Sequence, residues 1–122
     1  MSPPDREAAA RAQAPPIYRV KAEFFRLLGH PARVRILELL RDGERSVGEL
    51  QAELGLDSSG TSQQLTLMRR QGVLESRRAG TSVFYRVRDP RMFELLEIAK
   101  QILLAQLDAT SSLRDDLASD DS

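Results

Sequence analysis

A helix-sized segment rich in small polar side chains lies just before a cluster of arginines. Residues 58–70 read SSGTSQQLTLMRR, and residues 73–87 read VLESRRAGTSVFYRV. Amides and hydroxyls bond the edges of bases, and guanidinium groups bond phosphates, so this pattern predicts contact with duplex DNA. That chemistry needs a helix that enters the major groove and a basic hairpin beside it.

The polar face of this helix follows from its phase. Leu65 and Met68 point inward at helical spacing, and Thr61 turns inward with them. Gln63 is the main candidate for reading a base, because its amide bonds adenine through two hydrogen bonds, whereas Gln64 is lateral in phase. The candidate DNA contacts on the helix are Ser58, Ser59, Ser62, Gln63, Gln64, Thr66 and Arg70. The first two serines lie where a helix N-terminus offers hydroxyls and N–H groups to phosphate.

The hairpin supplies a second set of candidate contacts. Val73–Arg78 and Val83–Val87 are predicted to be antiparallel strands around a turn at residues 79–81. Its basic and small side chains suit a phosphate backbone or a minor groove. The candidate contacts on the hairpin are Arg77, Arg78, Thr81, Ser82 and Arg86.

The preceding elements must position this pair. Apolar spacing predicts a first helix over Ile17–Leu28, and Pro31 suits the first position of a second helix. Ser46 and Glu49 have the spacing of a capping box, which starts a third helix, and Gly55 closes that helix.

The last two helices complete the predicted order. Asp57 is predicted to cap the helix with the polar face, and Asp89 to cap the last helix. The fold class is therefore mainly α with a small antiparallel β-hairpin, in the order ααααββα. The last helix is apolar on more than one face, although a surface helix needs only one such face. This surplus predicts that it packs on its own domain and on a partner.

The net charge of the 122-residue chain is zero, but the charge is unevenly distributed. Between residues 58 and 91, seven arginines stand against two carboxylates, which leaves +5. Residues 108–122 hold one arginine against five aspartates, which leaves −4. The basic region is the electrostatic footprint expected of a nucleic-acid-binding face.

Composition also excludes several classes of protein. The length fits one domain, and the absence of cysteine excludes disulfides, thiolate sensors and thiolate metal sites. One histidine, no phosphate-binding glycine loop and no nucleophile–base pair predict that the chain is not an enzyme. No apolar run is long enough to span a bilayer, and residues 1–16 lack a signal-peptide core. The expected location is the cytoplasm.

At these residues the sequence resembles the ArsR/SmtB family of winged helix-turn-helix regulators. LGHPARVRILELL at residues 28–40 is similar to the family's second helix, and residues 47–87 are similar to its third helix, recognition helix and wing. The resemblance covers residues 17–107 and implies a homodimer formed through the first and last helices, which binds an operator and usually represses. Its DNA-contacting positions fall on Ser58, Ser59, Ser62, Gln63 and the segment Arg77–Ser82. The dimer interface it implies includes Val20, Phe24, Leu27, Phe93, Leu96, Ile102, Leu103 and Leu107.

The chain departs from the family at its metal-binding positions. The Cys-x-Cys positions of many members are Ser46 and Gly48 here, and the last helix has no histidine. The sequence therefore predicts a regulator without metal or cofactor. Thr61 replaces an aliphatic residue, and its buried hydroxyl is expected to need a backbone partner.

Three segments and two functions follow from the sequence. Residues 1–16 are predicted to be a disordered arm, 17–108 the DNA-binding and dimerisation domain, and 109–122 an acidic disordered tail. The predicted partners are double-stranded DNA, a second copy of the chain, and an unknown small-molecule or protein effector. The alternative function is a protein-interaction module or adaptor, in which the acidic tail folds over the arginine-rich face as a mimic of DNA. The operator, the regulated genes and the signal have no signature in the sequence.

Overall fold

The computed structural model describes residues 14–120, with no side-chain description for residues 119 and 120. Most of the predicted N-terminal arm therefore lies outside the described residues. The helices are α1 (Ile17–Leu28), α2 (Pro31–Leu39), α3 (Val47–Leu54), α4 (Ser58–Arg70) and α5 (Arg91–Asp120). The strands are β1 (Arg45–Ser46), β2 (Leu74–Ala79) and β3 (Ser82–Val87).

Side-chain hydrogen bonds start four of these helices, and at α5 the predicted cap Asp89 accepts through Oδ1 from the N–H of Arg91 at 3.0 Å. His30 Nδ1 accepts a hydrogen bond from the second residue of α2 at 3.2 Å. Ser46 and Glu49 form the predicted capping box, in which Ser46 Oγ accepts from the Glu49 N–H at 3.1 Å. Asp57 Oδ1 accepts from the Gly60 N–H at 2.6 Å and so caps α4, as predicted. These short-range bonds set where α2, α3, α4 and α5 begin.

A tight turn joins α3 to α4. Gly55 has φ +66° and ends α3 in the left-handed conformation, which costs glycine little. Only Gly55–Asp57 separate the two helices. The turn holds α4 across the core with one face outward.

The strands form a three-stranded antiparallel sheet in the order β1-β3-β2. β2 and β3 are joined through Gly80 and Thr81, with Ala79 opposite Ser82. Gly80 has φ +62°, which suits the first central position of a type II′ turn. β1 has only two residues, too short for periodicity to reveal, and sequence analysis missed it.

The core lies between α2, α3, α4 and the base of the hairpin. Its fully buried side chains come from these elements because each places one apolar stripe inward. They are Ile36, Leu37, Leu50, Leu65, Met68, Leu74 and the single polar member, Thr61. Met92 is the buried core residue that α5 contributes.

The last helix differs from the prediction. Residues 109–122 were expected to lack regular structure, but α5 runs unbroken to Asp120. Residues 91–120 contain no glycine or proline, so nothing interrupts the backbone hydrogen bonds. No helix within residues 14–120 combines the length and apolar character that crossing a membrane requires. The predicted segment boundaries at residues 16 and 108 stay predictions.

Candidate nucleic-acid interface

Helix α4 presents the predicted polar face. Thr61, Leu65 and Met68 are fully buried, at the spacing of one helical stripe. The opposite side is open to solvent, and its exposed members are Ser58, Ser59, Ser62, Gln63 and Arg70, with Thr66 half-buried. The predicted helical phase is therefore confirmed.

The N-terminal turn of α4 carries both donors and a negative charge. The N–H groups of its first residues have no partner within the helix, so they face outward beside the hydroxyls of Ser58 and Ser59. The Asp57 carboxylate satisfies the N–H of Gly60. Contact of the two serines with phosphate stays a prediction, with a carboxylate close by.

The side chain of Gln64 is hydrogen-bonded within the protein. Its Oε1 accepts a hydrogen bond from Arg33 Nε at 2.8 Å, and Arg33 Nη1 also donates to the carbonyl oxygen of Leu27 at 3.3 Å. Recognition of adenine by glutamine uses both the amide oxygen and the amide nitrogen. Gln64 therefore cannot read a base in this way while the bond to Arg33 persists. Gln63 is exposed on the outer face.

The two neighbouring hairpin arginines lie on opposite faces of the sheet. Arg78 is paired in register with Val83, which packs against the core on the inner face, whereas Arg77 is paired with Phe84. Because successive side chains of a strand alternate between faces, the two arginines that were predicted to contact DNA together lie on different faces of the sheet. Arg78 therefore lies on the face of the sheet that packs against the core, to which α4 also contributes.

Arg77 is engaged on the outer face. Its guanidinium carbon lies 4.7 Å from the centre of the Phe84 ring. Its Nε donates to the Glu44 oxygens at 2.9 and 3.0 Å, and its Nη2 donates to Oε1. Sequence analysis missed Glu44, because 33 residues separate it from its partner and no local pattern connects them.

Other arginines of the basic region are also paired. Arg86 donates to Glu75 through Nε at 2.9 Å and Nη2 at 2.6 Å, and Arg88 Nε lies 3.6 Å from the same carboxylate. Arg91 forms an ion pair with Asp89 at 2.6 Å. Within residues 14–120, the arginines of the basic region that form no ion pair are Arg69, Arg70 and Arg78. Glu75 and Asp89 are already counted in the net charge of +5, so only Glu44 reduces that charge further, to +4.

The ion pairs fix the ionisation of two carboxyls. Hydrogen bonds from Arg77 lower the pKa of Glu44 below its ordinary value of 4.5. Hydrogen bonds from the Arg91 side chain and backbone lower the pKa of Asp89 from 3.8 to about 2. Both groups are therefore charged at neutral pH.

The hydroxyl of Thr61 has no partner in the described part of the chain. Its Oγ1 is buried and makes no hydrogen bond there. The expectation of a backbone partner is wrong: the inward phase of α4 buries the hydroxyl, and no described backbone group bonds it. The buried hydroxyl of Thr61 lies on the side of α4 opposite the polar face.

A separate apolar surface is formed by α1 and α5. Of the predicted interface residues, Val20, Ile102, Leu103 and Leu107 are exposed, and Phe24, Phe93 and Leu96 are partly buried. Leu27 is only 3% exposed because its phase on α1 turns it into the core, so it has no surface left for a partner. Sequence analysis missed Phe25, which is 57% exposed. An open groove of about 780 Å³ between α1, α2 and α5 is lined by Phe25, Leu28, Val34, Phe93, Leu96 and Leu103 among others.

The positions of the family's metal motifs serve structural roles here. Ser46 is the cap of α3, and Gly48 is the second residue of the same helix. Among residues 14–120, no three or more His, Asp or Glu side chains are grouped as a metal site. Independence from metal stays a prediction.

Comparison with known proteins identifies similar sequences. The sequence profile described as bacterial regulatory protein, arsR family, matches residues 30–76. The HTH-type transcriptional regulator Rv0081 of Mycobacterium tuberculosis is 46% identical over 106 residues, which are 86% of this chain and 93% of that protein. The biofilm growth-associated repressor of Xylella fastidiosa is 35% identical over 85 residues, covering 70% of this chain and 75% of that protein.

Solved structures show the same architecture. The crystal structure of Rv0081 superimposes with a TM-score of 0.73 at 48% identity, covering 79% of this chain and 97% of that chain. A homodimeric winged helix-turn-helix DNA-binding domain from Mycobacterium bovis superimposes with a TM-score of 0.61 at 30% identity, covering 85% of this chain and 93% of that chain. The predicted winged helix-turn-helix fold is therefore confirmed.

Proposed function

The chain belongs to the arsR family of bacterial regulatory proteins, and we propose that it represses transcription by binding an inverted-repeat operator as a metal-independent homodimer. That the chain is a transcriptional regulator and not an enzyme follows from the family itself. The observation that carries the proposal is the exposed polar face of α4, with Gln63 at its centre and unpaired arginines beside it.

We propose that α4 enters the major groove. The exposed hydroxyls and the Gln63 amide supply donors and acceptors for base edges, and the buried stripe anchors the helix to the core. Arg70 and Arg78 form no ion pair within residues 14–120, so their charge is available to phosphates. We therefore assign base recognition to α4, and we assign the sequence-independent contacts with phosphate to the arginines.

The proposed dimer forms through α1 and α5. Both helices leave large apolar side chains in water, including Tyr18, Phe25, Ile102, Leu103 and Leu107. Contiguous apolar surface of this kind marks a protein–protein interface. The related domain from Mycobacterium bovis is described as homodimeric. Two copies would place their recognition helices in major grooves about one helical turn, about 34 Å, apart.

Repression and metal independence are the finer parts of the proposal. The Xylella fastidiosa relative is named a repressor, and an operator within a promoter would exclude polymerase. The chain has no cysteine, and Ser46 and Gly48 replace the soft-metal ligands of other members. Because a regulator of this kind must reach chromosomal DNA, we propose that it acts in the bacterial cytoplasm.

Fluorescence anisotropy tests DNA binding. The protein is titrated against DNA from upstream of its own gene and against a scrambled duplex, across a salt series. We expect tighter binding to the native DNA and a steep salt dependence. Equal, weak binding to both duplexes would contradict an operator at that place, and a genome-wide binding experiment would then decide between an operator elsewhere and a protein partner.

A variant and a mass measurement test the finer assignments. Gln63→Ala should relax the preference at one base position by about 1–3 kcal/mol per half-site, because an amide that bonds adenine twice is lost. Gln101→Ala, which removes an exposed glutamine amide from α5 instead of α4, is the matched control. An unchanged sequence preference in the Gln63 variant would remove the proposed role. Light scattering after gel filtration, with and without a chelator, should give the mass of a dimer in both cases.

A further inference from the structure

The ion pair between Glu44 and Arg77 bears on how the wing, residues 74–87, holds DNA. We propose that Glu44 is a specificity-determining residue: its carboxylate neutralises Arg77 and so removes one sequence-independent phosphate contact from each wing. This inference rests on the proposed DNA-binding function. It assigns the phosphate contact of the hairpin to Arg78, whereas Arg77 makes no contact with phosphate.

The ion pair and the ring contact occupy one edge and one face of the guanidinium of Arg77, whose side chain is 55% exposed. Arg77 lies on β2 and extends over Phe84 of β3 towards Glu44, which directly precedes β1. Its Nε and Nη2 both donate to the Glu44 carboxylate. One edge of the guanidinium is thus bonded to the carboxylate and one face lies on the ring. Cation–π stacking and a bidentate carboxylate both hold a guanidinium in one orientation.

The charges explain why DNA would not simply displace Glu44. The hydrogen bonds from Arg77 lower the pKa of Glu44, so the carboxylate is ionised at neutral pH. If Arg77 left to bind a phosphate, the Glu44 carboxylate would remain on the same sheet face beside the DNA backbone. Repulsion between the carboxylate and the phosphates would oppose the exchange, although an exposed ion pair by itself is weak. The pair therefore approaches DNA as a neutral unit.

The expected consequence concerns non-specific binding. Phosphate contacts add affinity for every duplex and carry no sequence information. A wing with Arg77 free would hold random DNA more strongly and compete with the search for the operator. Glu44 lowers this background while the base-reading face of α4 is unaffected.

Glu44→Gln tests the proposal with a duplex of random sequence, so no operator is needed. Glutamine can still accept a hydrogen bond from Arg77 but does not cancel its charge. We expect the salt dependence of binding to steepen by about 0.9 for each wing that engages, which corresponds to about an eightfold gain per wing at about 0.1 M salt. Arg77→Ala alone leaves the Glu44 charge without its partner and should weaken binding, whereas the double variant Glu44→Gln/Arg77→Ala removes the pair as a neutral unit and should match the wild type in affinity and slope.

Glu38→Gln is the matched control. Glu38 pairs with Arg35 on α2 at 3.8 Å and lines the groove beside α1 and α5, so its loss removes the same charge away from the wing. A similar gain in this control, or no gain in Glu44→Gln while thermal melting shows an intact fold, would overturn the proposal. Weaker binding by both Glu44→Gln and Arg77→Ala would instead make Glu44 a residue that orients Arg77 towards DNA. If the wild-type protein binds no duplex at any salt concentration, the proposed function itself fails.

Discussion

Replacing Thr61 with valine should stabilise the protein. The Thr61 side chain is fully buried in α4, and its Oγ1 makes no hydrogen bond to the described residues. Valine has the same shape and a methyl group in place of the hydroxyl. Thr61→Val therefore removes a desolvated polar atom without opening a cavity.

The size of the effect follows from two contributions to the free energy of unfolding. An unpaired buried hydroxyl costs about 1–3 kcal/mol, and valine does not incur this cost. Threonine and valine have similar helix propensities and are both β-branched, so the helix backbone contributes little. We expect a gain of about 1 kcal/mol or more, which corresponds to a rise in Tm of about 4–8 °C for a domain of this size.

Thermal and urea unfolding, followed by circular dichroism at one fixed protein concentration, measure this gain. The urea midpoint should rise while the m-value stays the same, since the exposed surface is unaltered. DNA affinity should not change, because Thr61 points away from the polar face of α4. Thr110→Val is the matched control, because that hydroxyl is exposed and donates to the carbonyl of Gln106 at 2.9 Å. A Thr61→Val protein that is less stable than the wild type would refute the reasoning, since the hydroxyl would then be satisfied.

Three further predictions concern the wing, a helix cap and an ion pair. Arg78→Ala should weaken binding to operator and random duplexes alike and flatten the salt dependence by about 0.9 per wing in anisotropy titrations; a loss confined to one sequence would contradict a phosphate contact. His30→Ala should lower the free energy of unfolding by about 1 kcal/mol through loss of the α2 cap, whereas His30→Asn should keep most of it in urea unfolding. The lowered pKa of Asp89, about 2 against an ordinary 3.8, means that its pairing with Arg91 contributes stability above about pH 4 and loses it as the pH falls towards 2. Asp89→Asn should therefore be less stable than the wild type at pH 6, and the difference should shrink in acid.

Features encoded over a few residues were predictable from the sequence. The capping box at Ser46 and Glu49, the cap at Asp57 and the inward phase of Thr61 all depend on neighbours within one or two turns of helix. The hairpin around Gly80 likewise needs only its own turn chemistry. Each feature has a spacing that can be read directly, because the bonds or faces involved repeat with the period of the element.

Predictions that concerned solvent or distant partners were less complete. Phe25 and not Leu27 is exposed on α1, because the orientation of a helix against its core depends on the elements beneath it. The continuation of α5 to Asp120 was also missed, since a polar, acidic composition alone suggested disorder. In both cases the sequence showed an amphipathic helix without showing what would lie against it.

The sequence by itself determined the family, the order of the elements and the polar face of the recognition helix. Tertiary structure decided which of those polar groups remain available. Arg33 reaches Gln64 across 31 residues, and Glu44 reaches Arg77 across 33, so two candidate DNA contacts are engaged by the protein itself. Such pairs form only when packing brings distant backbone segments together, and no local spacing records them. The sequence thus determines how many charged groups a binding face has. The fold determines which of them pair with the protein's own carboxylates and which remain available to DNA.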